Sequence, residues 1–164
     1  CLTIYADVSP AKSIVILTFP SHKSARIALF LISGSIGLTG LMALGMKNIF
    51  GLLPDKFKAK YHAKGISKVI VDINTVLKPV LTVIDGFVGM EGNGPIDGTP
   101  VKMDLVIAGK NVVATDAIGC RVMGFNPYDI AHLRRASEKG LGSIDDVDVL
   151  GEKIVDIAKA FKRD

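Results

Sequence analysis

The sequence has little material for covalent or metal cross-linking. Its 164 residues include only two cysteines, Cys1 and Cys120, and these do not form a CxxC pair. Two cysteines so far apart provide no disulfide framework, no zinc site and no set of iron–sulfur ligands within this chain. Such sparse cysteine usage is typical of a protein in a reducing compartment, so we expect a cytoplasmic location.

Aromatic side chains are scarce as well. Trp is absent, and Phe, Tyr and Trp together make up 6% of the chain. Modules that bind nucleic acid by base stacking need exposed rings, so we expect no nucleic-acid partner. The formal net charge is +4, and only residues 56–64 concentrate lysines. That run is typical of a solvated helix face, with a weakly anion-attracting surface as the alternative.

Charged residues are missing from one long stretch, residues 27–46. Its length matches that of a membrane span. Four glycines interrupt the stretch, however, and the buried core of an α/β domain also contains runs of this kind. We therefore expect a soluble protein with no membrane partner.

What the sequence does contain is an alternation of strand and helix patterns. A short β-branched run at Ser13–Phe19 predicts a buried strand, and apolar residues at i, i+3, i+4 and i+7 over 66–77 predict an amphipathic helix. Asn111 predicts the N-cap of a helix that runs to about Met123. The other predicted elements are apolar helices within 24–46, helices at 54–64, 127–140 and 152–162, and strands at 80–84, 103–108 and 147–150.

This alternation predicts the class of the fold. Strands that alternate with helices are typical of an α/β protein. We predict a partly parallel sheet with helices on both faces, in three layers, and a single domain over residues 1–164. The chain begins at Cys1 rather than Met, which we interpret as a processed or truncated piece of something longer.

Residues 85–100 are the most distinctive segment, since these 16 residues hold five glycines and two prolines. Loops of this length in compact domains are usually functional, and glycines let backbone amides approach a ligand closely. In open α/β sheets, ligands collect beyond the carboxyl ends of strands, where Asp85 is expected to lie. We predict a functional loop that binds a small anionic ligand. The alternative is a pair of tight turns that carboxylates cap.

Three carboxylates offer the hard oxygen ligands that a divalent cation such as Mg²⁺ prefers: Asp85, Glu91 and Asp116. Their spacing matches no fixed metal motif. For Asp116 the alternative is structural, because a carboxylate in the first turns of a helix interacts favourably with the helix dipole and nearby amides.

Two further candidates carry positive or titratable groups. Lys47 beside Asn48 is a candidate clamp for an anion, with a lysine that marks a helix end as the alternative. His62 is a candidate general base, although a solvated histidine near a helix end is the more common arrangement. His22 and His132 both have a helix-surface or loop explanation, and neither stands in a ligand-spaced pair.

Several motifs together resemble a known family, the one commonly labelled uncharacterized iron–sulfur-center proteins. The resemblance covers about residues 40–151, and its most specific part is Glu91-Gly92-Asn93-Gly94-Pro95. Residues 1–39 match poorly. The segments that carry the resemblance are 47–54, 61–62, 85–86, 90–95, 98–100, 108–110, 114–117, 123–125 and 140–142.

The resemblance implies a shared site but no known reaction. Members of that family are typically longer than this chain, and some carry a ferredoxin-like segment with cysteine ligands. No such segment is present here, so we expect no iron–sulfur cluster within this chain. The site residues that the resemblance implies are Lys47, Asn48, His62, Asp85, Glu91, Asn93 and Asp116.

Three functional hypotheses follow. The first is an enzyme, or a catalytic remnant, in which Lys47 holds a small anion, Asp85 and Glu91 hold a cation or move a proton, and the amides around Gly92 and Gly94 cradle the ligand. The second is an accessory protein of an iron–sulfur redox system, which docks on a ferredoxin-like partner that carries the cluster. The third treats the glycine-rich segment as the contact surface of a homo-oligomer.

Overall fold

The computed structural model describes residues 13–18, 33–37, 42–53, 59–94 and 97–162. The strands in this part of the chain are β1 (Ser13–Thr18), β2 (Ser33–Gly37), β3 (Met42–Ala43), β4 (Thr82–Gly94), β5 (Asp97–Gly109) and β6 (Asp148–Gly151). The α-helices are α1 (Gly45–Ile49), α2 (Ala59–Ala63), α3 (Ile66–Val76), α4 (Val112–Val122), α5 (Ala131–Glu138) and α6 (Ile154–Ile157). Two 3₁₀ helices lie at Phe50–Leu52 and Pro127–Asp129.

All six strands form one mixed sheet, in the order β3-β2-β4-β5-β1-β6. At its centre, β4 and β5 pair antiparallel along almost their whole length. Strand β1 is antiparallel to β5 and parallel to β6, while β2 is parallel to β4 and antiparallel to β3. The protein is therefore a mixed α/β domain whose sheet contains both kinds of pairing.

The helices form one layer on the sheet. Helix α4 packs on β5, β4 and β1, and α1, α5 and α6 all contact α4. Along β5, Leu105, Ile107 and Gly109 are buried, whereas Val106 and Ala108 between them are partly exposed. The prediction of helices on both faces in three layers is thus wrong for the described residues. Antiparallel strands can leave one face open, whereas the apolar runs had suggested a sheet buried on both faces.

The predicted loop at 85–100 is also wrong, because its described residues belong to β4 and β5. The two strands form a long hairpin, with Glu91 opposite Thr99 and a bulge between Gly86 and Val88. Glycines occur here because neighbouring side chains pass close to the backbone. A Cβ atom at Gly89, for example, would lie 2.6 Å from the ring of Phe161.

Some of the other predicted helices and strands are confirmed and some are wrong. The structure confirms β1, α3 and α4, and the side chain of Asn111 caps α4 by accepting a hydrogen bond from the Ala114 N–H. The helices predicted within 24–46 are wrong at 33–37 and 42–43, where β2 and β3 lie, whereas Gly45 and Met46 begin α1. The closing helix is only the single turn α6, and the helix predicted at 127–140 is divided into the 3₁₀ helix Pro127–Asp129, which Asn126 caps, and α5. Within the described ranges, no helix has the length and apolar character that a membrane crossing requires.

Candidate functional site

The short helix α1 is held in place by a carboxylate from another helix. Asp116, on α4, is fully buried, and its two oxygens accept hydrogen bonds from the Gly45 and Met46 N–H groups, both at 2.8 Å. These are the first two amides of α1, and Leu44 at the N-cap provides no side-chain hydrogen bond. Asp116 therefore caps α1 from outside and positions the Lys47–Asn48 segment, with the opposite charge to the positive end of the helix.

Burial makes the ionised form of this carboxylate expensive. Desolvation raises the pKa of Asp116 from 3.8 to about 7, and the hydrogen bonds from Met46 and Gly45 oppose that rise. Since both oxygens already accept backbone hydrogen bonds, the alternative interpretation of Asp116 as a helix-associated carboxylate matches the geometry. The helix that it caps is α1, however, and not its own.

Asn74, on α3, holds the same short helix from its other side. Its Nδ2 donates hydrogen bonds to the Met46 carbonyl at 3.0 Å and to the Ile70 carbonyl at 2.8 Å. The Oδ1 atom of Asn74 is buried and has no hydrogen-bond partner among the described residues. Met46 is thus fixed at both its amide and its carbonyl, which makes α1 a rigid element although it has only five residues.

Lys47 and His132 lie on the α5 side of this arrangement. Lys47 is half-buried, and desolvation lowers the pKa of its ammonium group. His132, on α5, is only 1% exposed. Burial, and to a smaller extent the positive charge of Lys47, lowers the pKa of its imidazole to about 4. His132 Nδ1 has no hydrogen-bond partner in the described ranges. The sequence signal for its burial is the apolar stripe that it shares with Leu133 and Ala136.

A cavity of about 570 Å³ opens beside α1, on the side of Asn48 and Ile49. Its opposite wall is the connection from α3 to β4. Most of its lining is apolar, with Asn48, Lys78 and Thr82 as the polar side chains. The lining residues are Gly45, Asn48, Ile49, Leu52, Val76, Leu77, Lys78, Pro79, Leu81, Thr82 and Val83.

Thr82 stands out among the lining residues. Its side chain is 5% exposed, and its Oγ1 has no hydrogen-bond partner within the described part of the chain. A Cβ atom at Gly45 would lie 2.5 Å from Thr82 Cγ2, so the two residues are in close contact across the cavity floor. No pattern in the sequence singled out Thr82, Asn74 or Lys78.

The structure does not bring the three predicted metal ligands together. Asp85 accepts a hydrogen bond from the Phe87 N–H at 3.0 Å, and strand alternation places its side chain on the face opposite to Thr82. Glu91 lies nine residues beyond Thr82 on β4, about 30 Å away along the strand. Among the described residues there is no group of three His, Cys, Asp or Glu side chains that could hold a metal ion.

Glu91 has a local partner instead. Its Oε2 accepts a hydrogen bond from the Lys162 N–H at 2.9 Å, and the Gly92 N–H donates to the Lys162 carbonyl at 3.3 Å. The ring of Phe161, next to Lys162, covers Gly89. Glu91 and Gly92 therefore anchor residues 158–162, which we call the C-terminal segment, against the hairpin.

The remaining predicted residues are dispersed. His62 is exposed near the end of α2, and its carbonyl accepts a hydrogen bond from the Gly65 N–H at 3.1 Å. The backbones of Asn93 and Gly94 form the last residues of β4. Of the sequence-predicted set, the structure gathers Lys47, Asn48 and Asp116 around α1 and leaves the others elsewhere.

A mixed sheet covered by one layer of helices, with a cavity beside a capped short helix, defines a mixed α/β protein with a candidate ligand site. The family described as a domain of unknown function, DUF362, matches residues 37–121, just over half of the chain. The protein belongs to this family. The matched range includes α1, the cavity, the hairpin and Asp116.

A curated relative extends this comparison. The chain is 31% identical over 106 residues to the thylakoid-associated protein sll1697 of Synechocystis sp. (strain ATCC 27184 / PCC 6803 / Kazusa). The match covers 61% of this chain and 33% of that protein, so the chain spans about a third of its relative. No solved structure matches the chain. The iron–sulfur association that the sequence motifs implied stays a prediction.

Proposed function

We propose that the protein binds a small ligand with an apolar body and an anionic group in the cavity beside α1. The observation that carries this proposal is the lining, in which apolar walls surround three polar side chains, Asn48, Lys78 and Thr82. Pockets for small molecules commonly have volumes of about 300–1,000 Å³, mostly apolar walls and a few polar groups that orient the ligand. The cavity meets each of these criteria.

The polar lining favours an anionic group. Lys78 is the charged residue among the lining side chains, and Asn48 offers an amide that can donate a hydrogen bond. An ammonium group near an apolar wall attracts a carboxylate or phosphate more strongly than it would in bulk water. Lys78 therefore takes the role of anion clamp that the sequence suggested for Lys47.

Thr82 supports a ligand at this position for a different reason. A buried hydroxyl without a partner destabilises the folded protein by about 1–3 kcal/mol. A polar atom of a bound ligand would remove that cost by pairing with Thr82 Oγ1. The unpaired Thr82 hydroxyl at the cavity wall therefore supports the proposal that a polar atom of the ligand binds there.

The supports of α1 serve the same site. Asp116 accepts a hydrogen bond from the Met46 N–H, and Asn74 donates one to the Met46 carbonyl. Together they fix the backbone of Met46 and so the orientation of Asn48, two residues later. A binding wall that is already ordered loses little entropy when the ligand arrives.

The first experiment uses octanoate, an anion with an apolar chain, as a probe. Calorimetry should detect its binding, and 1-octanol, which has the same chain without the charge, should bind more weakly. Lys78→Gln should weaken octanoate binding about fivefold or more and leave 1-octanol binding unchanged. Lys153→Gln, at an exposed lysine outside the cavity, is the matched control. Octanoate binding that is unaffected by Lys78→Gln would contradict the proposal.

Thr82→Val sharpens the test because valine keeps the shape of threonine and removes only the hydroxyl. We expect the variant to unfold at a temperature equal to or above that of the wild type, since an unpaired buried hydroxyl is gone. We expect its affinity for octanoate to fall. A stability loss without a change in affinity would assign Thr82 a structural role.

Cation binding, proton transfer by Asp85, Glu91 or His62, and docking on a ferredoxin-like partner stay predictions. No contact among the described residues bears on the ferredoxin-like partner. The cation is testable by calorimetry with Mg²⁺, with Glu91→Gln and Asp85→Asn as separate variants, because the two carboxylates lie six residues apart on β4 and have different partners.

A further inference from the structure

The mouth of the cavity is surrounded by exposed apolar side chains. We call this set the apolar rim: Leu52, Val76, Leu77, Val80 and Leu81. Three of the five, Leu77, Val80 and Leu81, belong to the short connection between α3 and β4, and Val76 is the last residue of α3. Val80 is 87% exposed. Exposed apolar side chains are unremarkable when scattered, but a contiguous group marks a contact surface.

Within the segments that build the cavity, the charges have one sign, and Asp72, one turn before Val76 on α3, forms an ion pair with Lys139 at 2.9 Å. The segments that build the cavity, residues 42–53 and 73–84, contain Lys47 and Lys78 and no Asp or Glu. On the side of Leu52, the Lys60 ammonium lies 5.0 Å from the centre of the Tyr61 ring, which contacts the Phe50 ring edge to face. An apolar surface with lysines at its centre and edge complements a surface that is apolar inside and negatively charged outside.

We propose that the apolar rim docks on an anionic lipid bilayer, with its side chains at headgroup depth and Lys78 among the lipid phosphates. The docking depends on the apolar rim and Lys78 and needs no ligand in the cavity. That the cavity then receives its amphiphilic ligand from the bilayer rests on the proposed function. The proposal departs from the expectation that the protein has no membrane partner, and it concerns attachment to a surface rather than a membrane span.

Charge favours a bilayer over a second copy of the chain. A symmetric dimer places the same patch of each copy face to face, so Lys78 would meet Lys78 near the symmetry axis. Like charges at that distance oppose association. Anionic headgroups provide the opposite charge, and each lysine near such a surface strengthens attachment.

The test is sedimentation with lipid vesicles. The full chain should bind vesicles of phosphatidylcholine mixed with phosphatidylglycerol, and only weakly those of phosphatidylcholine alone. Val80→Ser should weaken partitioning about tenfold, the effect of withdrawing one buried valine from an apolar phase. Val155→Ser is the matched control, since Val155 is 84% exposed and lies on α6, outside the apolar rim.

The charge is tested separately. Lys78→Gln should weaken binding to the anionic vesicles about fivefold. High salt should weaken wild-type binding and have a smaller effect on the variant. Lys153→Gln should behave like the wild type.

The outcomes separate the two proposals. No binding to anionic vesicles, or equal losses for Val80→Ser and Val155→Ser, overturns the docking. So does a wild-type protein that sediments as a dimer without lipid and becomes monomeric with Val80→Ser, because the apolar rim would then be a contact between copies. Octanoate binding in the absence of vesicles is measured independently, and its failure overturns the proposed function alone.

Discussion

Near each end of β4, a carboxylate accepts backbone hydrogen bonds, but the two carboxylates hold different segments. At the start of the strand, near α1, Asp116 accepts two backbone hydrogen bonds and is completely buried. Towards the far end, Glu91 accepts one backbone hydrogen bond, from Lys162, and is partly exposed. In both places a carboxylate fixes the backbone of a segment that is distant in the sequence.

The two regions differ in whether water could accept the backbone hydrogen bonds if the carboxylate were removed. Water can reach the Lys162 amide at the exposed end, whereas the Gly45 and Met46 amides are in the core. The same type of contact therefore contributes more to stability where solvent is excluded. Acidic residues that were expected to form one site serve two separate regions, and the α1 region adjoins the cavity of about 570 Å³.

Alanine substitutions should expose this difference most strongly. Asp116→Ala leaves two buried amides without an acceptor and should lower the free energy of unfolding by about 3 kcal/mol. Glu91→Ala should lower it by about 1 kcal/mol or less, because water replaces the lost acceptor. Urea denaturation of both variants measures the contrast. Equal losses would show that the two ends do not differ as we infer.

Glycine substitutions give the next largest contrast. A Cβ atom at Gly45 would lie 2.5 Å from Thr82 Cγ2 and 2.9 Å from Asp116 Oδ1, both firmly held. Gly45→Ala should therefore cost about 2–3 kcal/mol. Gly89→Ala should cost about 1 kcal/mol, because the added Cβ atom would meet the far end of one side chain, the Phe161 ring at 2.6 Å, which can shift more easily than the atoms around Gly45.

Gly51→Ala serves as the control for both substitutions, since no atom lies within 4 Å of a Cβ placed there. It should be neutral or slightly stabilising. If Gly45→Ala were as well tolerated as Gly51→Ala, the close packing around α1 would be contradicted.

The dependence of stability on pH should be nearly flat between about pH 4 and pH 6.5, because two buried groups act in opposite directions there. The folded-state pKa of Asp116, about 7, lies above its ordinary value of 3.8. Its contribution to stability is full below about pH 4 and is lost as the pH rises to 7. The folded-state pKa of His132, about 4, lies below its ordinary value of 6.5. Its contribution is full above about pH 6.5 and is lost as the pH falls.

Single substitutions should reveal each slope, at most about 1.4 kcal/mol per pH unit. Asp116→Asn should give a protein whose stability rises with pH in this window, and His132→Gln one whose stability falls. Urea denaturation at about pH 4.5, 5.5 and 6.5 provides the measurement. Slopes of the same sign in both variants would show that the two groups do not oppose each other.

Local patterns predicted the elements whose formation depends on near neighbours. The apolar periodicity over 66–77 indicated α3, and the β-branched run at Ser13–Phe19 indicated β1. Asn111 indicated the beginning of α4. In each case the signal is a side chain or a period within a few residues of the element. The sheet, in contrast, depends on pairing between distant segments.

The same limit applies to the candidate site. Lys47 and Asn48 were expected to contribute to the site. The structure places both on α1, where Asn48 lines the cavity and Lys47 lies close to His132. The roles of Asn74, Lys78 and Thr82 had no sequence signal, because each depends on which segment folds against it. The predicted loop at 85–100 failed for a related reason, since its glycines make room for side chains such as Phe161 rather than for a bend in the chain.

The sequence by itself determined the mixed α/β class, the main helices and the glycine-rich character of the hairpin, since these follow from composition and short-range periodicity. Only the tertiary structure decided that Asp116 caps α1, that Glu91 anchors the C-terminal segment, and that a cavity opens between α1 and the α3–β4 connection. The physical reason is that these contacts and the cavity join segments that are distant in the sequence, 70 residues apart for Asp116 and Met46, and no local pattern encodes such a meeting.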